Sequence, residues 1–478
     1  MPKLPLRVEA GAELSAGFAA IRSELGIVDG FAPAVEAQAD EAARTGPAVA
    51  PVADRRDVPF VSIDPPGSRD LDQALSIERS SAGAGYVVRY AIADVAAFVA
   101  PGSQLDSAVH ERGVTIYLPD EKAPLHPPVL SEGATSLLPG QDRQALVWRI
   151  ELDGDGAMGA VHVERATVRN RRAYSYPEVE AAIEAGSAEE QLLLLRDVGR
   201  LRQAREAARG GVSLDAPEQV VVRAAGRFEL AFRAPLASEG WNEQISLLTG
   251  MAAAKLMLDA GIGVLRTLPP PDDGTVARLR RRAGALGVPW PAALGYPGFI
   301  RSLHPLVPDH AALLRQAARL FRGAGYVAFD GNPPSGAGAV HAAVAAPYAH
   351  VTAPLRRLVD RFGNEVVLAV CAGVEVPEWA RAALASLPDE MQTARHREGA
   401  ANGMALDLVE AAVLAGRIGD VVRGIVVDVR DSHAQVQIRQ PAIVTNVTAA
   451  GARLGDEVTL RVMGADPVTR KVTLDVVA

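Results

Sequence analysis

Cysteine is almost absent from this chain: Cys371 stands alone among 478 residues, so no internal disulfide can form. That excludes a disulfide-stapled extracellular fold and favours a reducing compartment, so the cytoplasm is the expected location. Long apolar runs are lacking as well. No uninterrupted stretch approaches the ~18 residues of a membrane span. The opening segment MPKLPLRVEAGAELSAGF has no apolar core of signal-peptide length, and no membrane partner is expected. An excess of positive charge is missing too. The net charge of −8 counts against a global basic surface that coats nucleic acid, though not against a basic channel in an acidic body. Aromatic residues make up only 5%, and residues 418 to 478 contain no Phe, Tyr or Trp. Internal repeats and low-complexity tracts are also absent.

What is present is the composition of a folded protein, 49% hydrophobic and 22% charged. Basic residues cluster locally at Arg165, Arg169, Arg171 and Arg172; at Arg278 and Arg280 to Arg282; and at Arg356, Arg357 and Arg361. Taken alone, each cluster reads as a solvated helix face.

The acidic residues are more informative. Asp64, Asp70 and Asp72 fall within Ile63-Asp-Pro-Pro-Gly-Ser-Arg-Asp-Leu-Asp-Gln-Ala-Leu75. Pro65, Pro66 and Gly67 exclude a helix, so a tight turn must bring Asp64 towards Asp70 and Asp72. The latter two are two residues apart, so in an extended segment both carboxylates leave one face. Carboxylates forced together repel unless a cation holds them. Oxygen-only ligation suits Mg²⁺, with Mn²⁺ as an alternative, the ions that activate water against phosphodiesters. An EF-hand is excluded by the missing central glycine and terminal glutamate, while a solvated Asp-rich turn stays open on spacing alone.

The pattern along the chain predicts two helices at about 14–25 and 33–44, then a Pro/Ala-rich linker over Thr45 to Ala53. The pair suits either a helix-turn-helix element or a packing extension. Residues 58 to about 168 read as mostly strands, including Tyr86 to Asp94, Val114 to Leu118 and Ala145 to Leu152. Helices are predicted over 177–209, from Asn242 to Gly261 with Glu243 in the first turn, and over 272–287, 309–322, 352–372 and 377–415. From 418 onward, five short strands suggest a small OB-type barrel. The fold class is therefore α+β.

With these motifs in view, the chain resembles the ribonuclease II and ribonuclease R (RNB) family of 3′→5′ exoribonucleases. The resemblance runs from about Val58 to the end. It rests on the aspartate cluster and on five further motifs in the family's order: Ala91-Ile-Ala-Asp-Val-Ala-Ala-Phe-Val-Ala-Pro-Gly-Ser-Gln-Leu-Asp106, Arg112-Gly-Val-Thr-Ile-Tyr-Leu-Pro-Asp120, Leu130-Ser-Glu132, Ser136-Leu-Leu-Pro139 and Pro347-Tyr-Ala-His-Val-Thr-Ala-Pro-Leu-Arg-Arg357. It implies a large mixed-sheet catalytic domain with packed helices over 56–415 and an S1-type OB-fold over 418–478. A short helical domain and linker over 1–55 take the place of the usual cold-shock domains.

The resemblance also implies roles. Asp64, Asp70 and Asp72 fall on metal-site aspartates, with Asp72 the one most tied to chemistry. Tyr117 falls on the aromatic that stacks on the 3′-terminal base, and Arg356 on the arginine at the scissile phosphate. Glu243 falls on an acid near a ribose hydroxyl, and Glu398 on a late catalytic-domain glutamate. The implied activity is hydrolysis of single-stranded RNA to nucleoside 5′-monophosphates, by a chain expected to be a monomer. The departures are specific. Gln73 replaces a fourth aspartate and offers the metal site a neutral oxygen. Leu214 stands where relatives carry a second stacking aromatic, and Leu358-Val359-Asp360 replaces the usual Tyr-Pro-Asp. A non-catalytic RNA-binding relative therefore stays open, as does a phosphodiesterase acting on DNA or small nucleotides.

Overall fold

The computed structural model describes residues 7–477 except 10, 82, 215, 225, 306, 431, 439 and 450. The β-branched and aromatic runs of the first half form one mixed sheet. Its spatial order is Ala53–Asp54, Met158–Ser175, Phe60–Asp64, Gln73–Arg79, Gly85–Ala93 and Asp142–Asp153. Met158–Ser175 pairs with Asp142–Asp153 as well, so the sheet closes on itself and its long strands have no open edge. Phe60–Asp64 runs parallel to Met158–Ser175, whereas its link to Gln73–Arg79 is antiparallel. Residues 65–72 therefore need only turn the chain around. They do so with Gly67 at φ +82° and the Ser68 N–H and hydroxyl both donating to the Pro65 carbonyl. Trp148, Tyr90, Phe60, Ile77 and Ile92 are among the largest fully buried side chains.

Helices pack around this sheet. Glu190–Arg209 and Ala237–Ala260 lie so close that a Cβ added at Gly199 would meet the Trp241 Cβ at 2.6 Å. Several predicted helices differ in their limits. The 177–209 helix is two, Tyr176–Glu184 and Glu190–Arg209, and the 377–415 helix is likewise Glu378–Ala383 followed by Leu387–Ala415. The helix expected to start at Asn242 begins five residues earlier, at Ala237, because Glu239 accepts from the Leu236 N–H and caps it there. Glu243 consequently sits in the second turn. The 352–372 helix begins only at Leu358, because Pro354 and the backbone groups around it are engaged elsewhere.

The last five strands form an antiparallel sheet in the order Ile443–Thr448, His433–Ile438, Val421–Arg430, Glu457–Asp466, Lys471–Val476. Its two outer strands touch, which gives the nearly closed barrel expected of an OB-fold. Val426, Val436, Leu460 and Val462 fill its core.

The two N-terminal helices are Ala12–Glu24 and Pro33–Thr45. Phe18 packs edge-on against Phe228 with ring centres 5.6 Å apart. Phe228 belongs to a hairpin, Glu218–Ala224 and Arg227–Arg233, whose second strand pairs with Arg7–Glu9. Those three strands were not anticipated from the sequence. Among the described residues, no helix is long and apolar enough to cross a membrane.

Candidate functional site

Asp64 ends the strand Phe60–Asp64, and Asp70 and Asp72 lie on the extended approach to Gln73–Arg79. The two-residue spacing works as expected. Leu71, between them, is 2% exposed, and its N–H bonds the Ser136 hydroxyl at 2.9 Å. That anchoring turns Asp70 and Asp72 the other way, towards Tyr117, Lys122 and Arg356.

Arg356 is presented by a six-residue loop, 352–357, stitched to its surroundings through the backbone. The Leu355 N–H donates to Asp72 Oδ1 at 2.7 Å, and the Arg356 carbonyl accepts from the Thr115 N–H at 3.0 Å. Asp360 holds the loop from behind, accepting from the Ala353 N–H at 2.7 Å and pairing with Arg357 at 2.8 Å. The Arg356 Nε then lies 3.2 Å from Asp72 Oδ2, with 48% of its side chain open to solvent. Tyr117 closes the group from the strand Ile116–Tyr117. Its hydroxyl donates to Asp70 Oδ2 at 2.9 Å, and the residue is 44% exposed, which leaves the ring free to contact a ligand.

The three carboxyls differ electrostatically. Burial raises Asp72 to about 7 although Arg356 pulls it down, and burial raises Asp64 to about 6 against the same arginine. Burial also disfavours charge on Asp70, yet Lys122 and the Tyr117 hydroxyl hold it below the ordinary carboxylate range. For the Asp64 carboxylate, Arg356 is the opposing cation and Asp70 a like charge nearby.

A groove of about 760 Å³ runs away from this point, lined in part by Gln73, Leu214, Glu243, Tyr348 and Arg356. Glu243 is thus brought to the site, on the helix Ala237–Ala260. Glu398 is half-buried on the helix Leu387–Ala415; burial raises its acid, while Arg357 and Arg356 are near enough to oppose that. Gln73 lines the groove, but its carboxamide is already bonded. Its oxygen accepts from the Tyr90 hydroxyl at 2.5 Å, and its NH₂ donates to the Thr352 carbonyl at 2.7 Å. A larger cavity of about 1010 Å³ lies elsewhere, between Phe31, His110 and Arg397, and touches none of these aspartates.

Sequence reasoning missed Lys122. Its ammonium is 3.2 Å from Asp70 and 2.8 Å from Glu132. The pairing that sets Lys122 directly opposite Tyr117 joins strands of two residues each and shows only in the fold. Among the described residues, no three His, Cys, Asp or Glu side chains form a ready cage for a metal ion. Asp64 and Asp72 both act on Arg356, and as oxygen donors they suit a divalent ion, whereas Asp70 is already matched by Lys122 and the Tyr117 hydroxyl.

An RNB domain model matches residues 52–371, and a model of the RNase II-type exonuclease C-terminal S1 domain matches residues 420–477. The chain belongs to the RNB family. It is 26% identical over 411 residues to a ribonuclease R of Thermotoga maritima, covering 82% of this chain and 57% of that relative. The chain therefore spans little more than half the length of that curated relative. Its fold is that of Mycoplasma genitalium RNase R, solved in complex with ribose-methylated single-stranded RNA. The TM-score is 0.85 at 19% identity, over 98% of this chain and 78% of that one. Yeast Ssd1, described as a pseudonuclease, shares the fold with a TM-score of 0.74 at 17% identity, over 94% of this chain and 57% of that one.

One pH effect follows from the raised carboxyls. Asp64 and Asp72 bind protons more tightly folded than unfolded, so their contribution is fully present below about pH 4 and is lost as pH rises through about 6 and 7. Metal-free protein should lose Tm between pH 5 and pH 8, and Asp72→Asn should flatten that slope. Thermal melts in chelator across this range check it; a parent slope equal to the variant's would contradict it.

Proposed function

We propose that this RNB-family chain is a hydrolytic 3′→5′ exoribonuclease that shortens single-stranded RNA and releases nucleoside 5′-monophosphates. The observation that carries the reading is the clustering of Asp64, Asp70, Asp72 and Tyr117 about Arg356, a residue that also lines the groove. Removing the last nucleotide needs an activated water, a clamp on the developing negative charge and a stop that sets register. The half-exposed Arg356, anchored through Nε, is the clamp. The Tyr117 ring, its hydroxyl tied to Asp70, is the platform for the terminal base. Glu243, which lines the groove, would accept from a ribose 2′-hydroxyl and so favour RNA over DNA.

Asp64 and Asp72 would hold Mg²⁺, or Mn²⁺ in its place, which when bound supplies the activated water and Lewis acidity. The division into a helical segment over 1–55, a catalytic domain over 56–415 and an S1-type barrel over 418–478 belongs to this proposal. So do action as a monomer and a cytoplasmic location. With no Phe, Tyr or Trp, the barrel would grip RNA through Arg and Lys, and its affinity should fall with salt.

A second reading has one observation in its favour. The Gln73 carboxamide, standing where the resemblance led one to expect a metal-binding acid, is committed to Tyr90 and Thr352, and a pseudonuclease shares the fold. Incubation with 5′-labelled oligo(A) and Mg²⁺ separates the two. The exonuclease reading requires progressive shortening from the 3′ end with release of AMP. Binding without release would establish the non-catalytic reading, and equal digestion of a matched DNA strand would point to a general phosphodiesterase.

A further inference from the structure

We infer that Lys122 is a built-in cation occupying the Asp70 side of the site, so that this chain takes one divalent ion rather than a pair. The inference rests on the metal-dependent reading above. Three observations carry it.

The first is placement. Tyr117 and Lys122 are cross-strand neighbours on a two-residue ladder, and both reach the same Asp70 oxygen, the hydroxyl at 2.9 Å and the ammonium at 3.2 Å. The second is that Lys122 has no slack. Its ammonium also meets Glu132 at 2.8 Å, and 26% of its side chain is exposed. A lysine bound to two carboxylates resists displacement by a hydrated cation more than a freely solvated one. The third is the state of the other oxygens. Gln73 has its carboxamide oxygen accepting from Tyr90 and its NH₂ donating to Thr352, so its neutral oxygen is already engaged. Asp64, by contrast, is opposed only by the guanidinium of Arg356, which it shares with Asp72.

Charge balance points the same way. Asp64, Asp70, Asp72 and Glu132 face Lys122, Arg356 and Arg69, the last 3.5 Å from Glu132. One negative charge is left over. A single divalent ion together with the negative charge of a scissile phosphodiester brings the group to neutrality. A second divalent ion would leave two positive charges among these residues, beside an ammonium.

The test is Mn²⁺ binding to the full chain, followed by calorimetry and by the electron paramagnetic resonance of free Mn²⁺, without RNA. The parent should bind one Mn²⁺. Lys122→Met should either admit a second ion or tighten the first at least tenfold, since Asp70 is then released, whereas Lys122→Arg should keep a single site. Lys122→Gln serves in place of the methionine variant if that one does not fold. A parent that binds two Mn²⁺, or neutral variants with unchanged stoichiometry and affinity, would overturn the assignment. If such a parent still digests RNA, only the role of Lys122 falls. A parent that binds no Mn²⁺ and releases no mononucleotide removes the metal-dependent reading with it.

Discussion

Asp72→Asn should lower the rate of RNA hydrolysis on the order of 10³-fold while leaving RNA affinity within about threefold of the parent. The substitution keeps the shape of the side chain, and its amide oxygen can still accept the Leu355 N–H. What disappears is the negative charge. Asp72 is 3% exposed and shares Arg356 with Asp64, so its charge is the one the arginine meets and, in the proposed function, the one a divalent ion would meet. In the proposed function RNA binding would depend on groove and barrel contacts that the change does not touch. Single-turnover digestion of a 5′-labelled oligoribonucleotide, with binding measured in chelator, checks both halves. A variant as fast as the parent would remove Asp72 from the chemistry. Asp70→Asn should cost less, because Asp70 is matched by Lys122 and the Tyr117 hydroxyl rather than left for a metal.

The aspartate cluster was legible because proline and glycine dictate a turn whatever surrounds them, and alternation along an extended chain fixes which side chains share a face. The terminal barrel was legible for a similar reason, since short alternating runs between turns have few ways to bury one face. Helix limits were harder. The start of the helix at Ala237 depends on a cap made by Glu239, and that of the helix at Leu358 on backbone groups captured by residues far off in sequence. Runs of arginine misled in the same way. Arg165 reads as part of a basic patch, yet it is paired with Asp94 at 2.8 Å, and Arg361 is 1% exposed against Asp106. Composition cannot tell a solvated cation from one that closes an internal ion pair. The N-terminal helices show a further limit. Their extents were readable, but not that Arg22 would reach Asp120 at 3.0 Å, two residues from Lys122, or that Glu24 would meet Arg470 of the barrel at 2.7 Å. Through these contacts the N-terminal segment bears on the hairpin that carries Tyr117.

Arg356→Ala should lower kcat roughly 10²- to 10³-fold with a much smaller change in KM. The reason lies in how the guanidinium is held. Its Nε is engaged by Asp72, and its carbonyl is fixed by the Thr115 N–H, so the half-exposed head is aimed before substrate arrives. A group already in place stabilises charge that develops in the transition state more than charge present in the bound substrate, and its removal therefore appears in kcat. Arg356→Lys should recover only part of the loss, because an ammonium cannot keep Asp72 and donate to a phosphate through one planar fork. Loss of the arginine also strips Asp72 and Asp64 of the cation that opposes their burial, so both carboxyls should rise further, and metal affinity at neutral pH should change with the loss of that neighbouring charge. Kinetics with Mg²⁺ raised to saturation separate the two effects. If saturating metal restores the parent rate, Arg356 acts only by supporting the carboxylates; a deficit that persists assigns it to the phosphate.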